Sequence, residues 1–148
     1  MSHNVHNSPQ AVIEESHRAL AEFIKGDSRP IKTLFSRRDD VCLGNPFGPF
    51  VRGWKDFEAT ADLAAALYRD GEVIGFETVS SYSAAELACY VETERYRAKM
   101  GGRSEFSVVA LRVTTVLRRE NEAWKIIHRH ADPITTRRSA ESVIQNDP

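Results

Sequence analysis

The residues with the richest chemistry in this chain lie close together near its C-terminal end, in Trp124-Lys125-Ile126-Ile127-His128-Arg129-His130-Ala131-Asp132-Pro133. Pro133 cannot donate to a β-ladder, so the run reads as a strand closed by a proline. Side chains alternate across a strand. Regular alternation puts Trp124, Ile126, His128, His130 and Asp132 on one face, and Lys125, Ile127, Arg129 and Ala131 on the other. An apolar face that turns polar in this way suits the wall of a small-molecule pocket. An imidazole near neutral pKa serves as acid or base, and a neighbouring carboxylate fixes its tautomer. His128 and His130 are therefore the first catalytic candidates, set against a purely structural role in the core or an interface. Asn45, in the turn-rich loop Asn45-Pro46-Phe47-Gly48-Pro49-Phe50, is the third, since its amide can orient a carbonyl or a water. Two strand histidines followed by Asp132 also resemble metal ligands, but no motif supplies a clear third ligand and no metal is expected.

These residues need elements to hold them. Ser8-Pro9 is a helix start, and Ile13, His17, Leu20 and Ile24 follow at helical spacing until Gly26-Asp27. His17 lies on that apolar stripe and reads first as a core-edge histidine. Residues 30–35 form a short second helix, and Val41 to Gly44 a short strand. A long helix opens at Gly53-Trp54 and carries Trp54, Phe57, Ala61, Ala64 and Tyr68 along one face, with Asp70-Gly71 as its stop. From Glu72 the period changes to two. One long strand follows, then a second in which Tyr90, Glu92, Glu94 and Tyr96 share a face, expected to line solvent or a subunit interface. After the Gly101-Gly102 turn, Phe106 to Arg119 is apolar on both faces, which calls for cover on both. Helices first and an antiparallel meander afterwards make an α+β domain, a curved sheet wrapped around its helices as a cone. The candidate ligand contacts are Phe47, Trp54, Tyr68 and Asp132. The arginines Arg95 and Arg112 cannot be assigned to a face.

The 148 residues, 41% hydrophobic and 28% charged with a formal net charge of -1, suit one domain with a single core. They argue against nucleic acid as the main partner. No apolar run approaches the roughly 18 residues that span a bilayer. With no signal-peptide pattern at the start, a cytoplasmic protein is expected. Cys42 and Cys89 read as buried free thiols. Residues 1–10 are expected to be a disordered lead, 11–133 the domain, and 134–148 a mobile tail or an arm to a neighbour.

In order and spacing, three motifs resemble the nuclear transport factor 2-like superfamily, in its SnoaL-like, ketosteroid-isomerase-like branch, over Val12 to Pro133. They are Ile24-Lys25-Gly26-Asp27 with the short helix and Asp39-Asp40; Leu43-Gly44-Asn45-Pro46-Phe47-Gly48-Pro49 running into Gly53-Trp54; and Trp124 to His130. The last is also similar to the association domain of calcium/calmodulin-dependent protein kinase II. The resemblance implies a cystatin-like α+β roll, with helices packed on a curved antiparallel or mixed sheet. The strand apolar on both faces from Val108 to Leu117 is the reason to expect a homodimer or larger through the sheet face. The resemblance implies an apolar ligand in the cone, with either cofactor-independent isomerase, cyclase or dehydratase chemistry or a non-catalytic binding or association module. Whether the chain is an enzyme stays open at this point. Two departures argue against steroid isomerisation. Asn45 stands where the isomerase has its aspartate base, and Ala19 where it has its oxyanion tyrosine, seven residues before the glycine.

Overall fold

The computed structural model describes residues 6–145. Helix α1, Pro9–Phe23, starts where Ser8 accepts a hydrogen bond from the Ala11 backbone N–H at 3.1 Å, and buries Val12, Ile13, Ala19 and Leu20. It is followed by α2 (Arg29–Lys32), β1 (Cys42–Gly44), β2 (Val51–Arg52) and α3 (Trp54–Ala65). The long strands are β3 (Tyr68–Ser83), β4 (Leu87–Met100), β5 (Phe106–Glu120) and β6 (Ala123–Asp132), with a 3-10 turn at Ala140–Val143. One mixed sheet results, in the order β2-β1-β6-β5-β4-β3, with β1 parallel to β6 and the other pairings antiparallel. The α+β roll expected from the sequence is what forms. Two groups of buried side chains fill it: Val12, Ile13, Leu34, Phe35, Phe57, Leu117 and Ile126 among others at one end, and Leu20, Ile24, Tyr68, Tyr96, Leu111 and Val113 at the other.

Several local expectations change. Helix α3 ends at Ala65, not at Asp70-Gly71, and Tyr68 opens β3 opposite Met100. Ladder pairing with β4 wins over a helical spacing that includes Tyr68 by coincidence. Gly71 is a docking point, where its N–H meets the Ile24 carbonyl at 3.0 Å and a Cβ would collide with Ile24. Tyr90, Glu92, Glu94 and Tyr96 do share a face of β4, but it is the inner one: all four are buried, both glutamates at 2% exposure. Their charges are tolerated because His17 and Arg129 come to meet them.

Cys42 and Cys89 are free thiols, half-buried and not fully enclosed. Of the N-terminal segment, residues 1–5 lie outside the described residues, while the His6 carbonyl accepts the Trp124 N–H at 2.7 Å. At the other end, residues 134–145 are exposed, and 146–148 lie outside the described residues. Among the described residues no helix is long and apolar enough to cross a membrane. The outer sheet face bears Val108 at 71% exposure and Tyr82 at 63%, so β5 is covered on its helix side and open on the other.

Candidate functional site

A cavity of about 70 Å³ lies between the helices and the inner sheet face. Its wall is mostly apolar: Leu20 and Phe23 from α1, Phe57, Ala61 and Ala64 from α3, and Leu43, Leu111 and Ala131 from the sheet. Small alanines on α3 leave the space that larger side chains would fill. Asn45, Pro46 and Phe47 form the rim, and Tyr68, Tyr96 and Arg129 supply most of the polarity.

Arg129 is not among the residues that regular alternation brings to a pocket, and a single extra residue explains its place here. In the β5–β6 ladder Leu117 pairs with Ile126, but the next residue of β5, Val116, pairs with His128. Ile127 is the residue left over, a β-bulge. Beyond it the faces exchange relative to regular alternation. Thr115 and Val113, both buried, pair with Arg129 and Ala131, which therefore point inward. His128, His130 and Asp132 point to the outer sheet face with Val116, Thr114 and Arg112. The expectation that the histidines share a face with Trp124 and Ile126 fails at this bulge, which carries no glycine to announce it.

Arg129 forms a bidentate ion pair with Glu94, both bonds 2.9 Å, its side chain 19% exposed and that of Glu94 3%. Burial works against the guanidinium charge, but Glu94 more than offsets it and holds the Arg129 pKa above its ordinary value. Beside the pair, the hydroxyls of Tyr68 and Tyr96 are 2.9 Å apart, and burial pushes both phenols upward, so they stay protonated. Further along the same face of β4, Glu92 meets His17 Nε2 at 2.8 Å, and the His17 ring stacks on Phe76 at 3.7 Å. The core-edge reading of His17 is therefore the observed one, with a buried carboxylate as its partner.

The remaining candidates divide. Asn45, Phe47 and Tyr68 come together at the cavity. The Asn45 Oδ1 accepts the Phe47 N–H at 3.0 Å, so the amide oxygen shapes the rim turn. Trp54 packs on Phe57 and under the Arg37 guanidinium, 4.5 Å from its ring, away from the lining. On the outer face Asp132 is bound by Arg112 at 2.7 Å; burial opposes its ionisation, but that bond and the Ile134 N–H hold its pKa low. His130 lies 3.6 Å from Asp132, and the exposed Phe50 ring leans on both histidines. Burial, then the neighbouring His130, lowers the His128 pKa against a raising contact with the Cys42 backbone. Among the described residues no cluster of three or more His, Cys, Asp or Glu side chains is placed to hold a metal. The signal that could have found the true lining was Tyr-x-Glu-x-Glu-x-Tyr in β4, since two carboxylates on a face with two tyrosines can be inward if cations answer them.

Solved structures share this architecture at low identity. An association domain described as a candidate calcium/calmodulin-dependent protein kinase type II domain, from Thiobacillus denitrificans, superposes with a TM-score of 0.71 at 17% identity, covering 90% of this chain and 100% of that one. A nuclear transport factor 2-like superfamily protein from Salmonella enterica serovar Typhimurium gives 0.73 at 18%, covering 89% and 94%. A candidate dehydratase of the same superfamily from Streptomyces avermitilis gives 0.66 at 18%, covering 86% and 100%. Such likeness establishes the fold alone. No functionally curated protein matches the sequence. The model of the SnoaL-like domain matches residues 10–135, and the chain belongs to that family.

Proposed function

We propose that the chain is a small-molecule-binding protein whose ligand is neutral and largely apolar and is held in the cavity between α1, α3 and the inner sheet face. The observation that carries this reading is the cavity itself, mostly apolar-walled and bordered by the exposed Pro46 and Phe47. Size limits the ligand. A cavity of about 150 Å³ in an apolar core takes up benzene, and this one, at about 70 Å³, admits a small molecule or one end of a longer one. Charge limits it too. The cavity's cation, Arg129, is already neutralised by Glu94, so an anion would have to break a buried pair to gain a partner.

Binding is favoured over turnover by the state of the lining groups. The tyrosines are held protonated, Ser16 donates to the Ile13 carbonyl at 2.6 Å, and the Asn45 oxygen is committed. Isomerase, cyclase or dehydratase chemistry needs a base, and among the described residues the lining offers no carboxylate or imidazole. Ketosteroid isomerisation in particular is expected to be absent, given Asn45 and Ala19. A second copy of the chain covering Val108 and its neighbours on the outer face fits the same reading. Light scattering should then show a dimer that Val108→Glu dissociates.

The test is a ligand-observed NMR titration of small neutral aliphatic fragments against the wild type and Ala64→Leu, which fills the cavity from α3. Saturable, mutually competing binding that Ala64→Leu abolishes while the circular dichroism spectrum is retained is the expected result. Fragments that fail to bind, or that bind both proteins equally, would overturn it.

A further inference from the structure

We infer that the Tyr68–Tyr96 pair is a hydrogen-bond-donating subsite for a carbonyl oxygen, so that the ligands of the cavity are neutral carbonyl compounds. This rests on the binding reading above and adds a chemical class to it. The two hydroxyls, one from β3 and one from β4, lie 2.9 Å apart in the cavity wall, their residues 4% and 1% exposed. Whichever donates to the other, the accepting hydroxyl keeps a hydrogen of its own. Among the described residues neither hydroxyl has a further protein partner. A buried donor without an acceptor is costly, whereas satisfying it with a ligand oxygen recovers that cost. Both phenols are pushed upward by burial, so the pair donates and does not act as a base.

The surroundings narrow the acceptor. A carboxylate or phosphate would favour Arg129, but Glu94 occupies that fork and repels a second anion. An alcohol brings its own hydrogen, which must also be placed on one of the few acceptors of a mostly apolar wall, such as the oxygen of the donating tyrosine. A ketone, aldehyde or ester carbonyl accepts without donating, and its hydrocarbon end finds Leu111, Ala131 and Phe23. No bond to carbon is made or broken. The carbonyl is polarised and held.

Acetone and isobutene form the probe pair, small enough for the cavity, equal in shape and differing in C=O against C=CH2. With the wild type, acetone should bind about threefold to tenfold more tightly, and its C=O stretch should shift to lower frequency on binding. Tyr68→Phe/Tyr96→Phe removes both hydroxyls and keeps the rings. It should erase the preference and the shift while leaving isobutene affinity unchanged. Each single Phe variant keeps one donor and should retain a shifted stretch. Equal affinity of the two probes for the wild type, with an unshifted carbonyl, overturns the inference while leaving the binding reading intact. Failure of both probes to bind overturns both.

Discussion

The two faces of β6 are built from adjacent residues and belong to different chemical worlds. The inner face after Ile127 carries Arg129, locked to a buried glutamate, and Ala131 against the cavity. The outer face carries His128, His130 and Asp132, partly wet, with Asp132 answered by the exposed Arg112 and the histidines by the Phe50 ring. The difference teaches that the number of polar groups on a strand matters less than the side on which a bulge leaves them. Inside, each charge has an assigned partner and its loss is expensive. Outside, solvent stands ready to replace what is removed.

That asymmetry is sharpest at Arg129. Arg129→Met should lower the unfolding free energy by about 3–5 kcal/mol, because it leaves the Glu94 carboxylate buried and uncompensated. Arg129→Met with Glu94→Leu should recover most of the loss, since an apolar pair of similar volume owes no desolvation cost. His130→Ala on the opposite face should change stability by less than about 0.5 kcal/mol. Denaturant melts of the three variants test the comparison. It breaks if His130→Ala costs as much as Arg129→Met, or if the double variant is no more stable than the single one.

The second pairing on the inner face is milder, because one partner reaches water. His17→Ala removes the 2.8 Å bond to Glu92 and the stack on Phe76, with His17 about a quarter exposed. About 1.5–3 kcal/mol is expected, in line with a hydrogen bond to a charged group. His17→Gln, which can still donate to Glu92, should lose less. Equal losses in the two variants would show that the ring stack, and not the bond, holds α1 to the sheet.

Much of this architecture is legible in the sequence, and the reason is physical. Ser8-Pro9, the helical stripe of α1, the switch of period before β4 and the proline after Asp132 are local signals that tertiary packing did not override. Asn45 and Phe47 reached the cavity rim because a turn-rich loop before a helix has few other places to put a large aromatic. What could not be read is parity. A strand assignment fixes faces only while alternation is unbroken, and Ile127 breaks it with a residue that fits a regular strand equally well. Regular alternation thus sets His128 on the face of Ile126 and Arg129 on the opposite one, the reverse of what forms. Glu92 and Glu94 were misplaced for a related reason: whether a carboxylate can face the core depends on a cation from another element, and pairings across 75 and 35 residues leave no local trace.

The smallest effect is a slope against pH on the outer face, and its sign is determined by His128. Burial is the main cause that lowers its pKa below the ordinary 6.5, and the neighbouring His130 adds to it. In the unfolded chain this imidazole takes up its proton at a higher pH than in the fold. Between the two values the unfolded state binds more protons, so stability falls as pH falls. The loss begins near neutrality, runs down through about pH 6.5 to the lower folded value, and stops below it, where both states are protonated. His128→Asn removes the titrating group, and its melting temperature should therefore vary less than that of the wild type between about pH 7 and pH 5. Asp132 and Asp40 do not blur this window, because both are held below the ordinary carboxylate value and register only in more acidic solution. His6, whose pKa is also lowered by burial, contributes equally to both proteins and cancels in the difference. Superimposable pH profiles for the wild type and His128→Asn would mean that the outer face is already wet enough at His128 to hide the proton. The contrast between the two faces of β6 would then begin at the bulge itself.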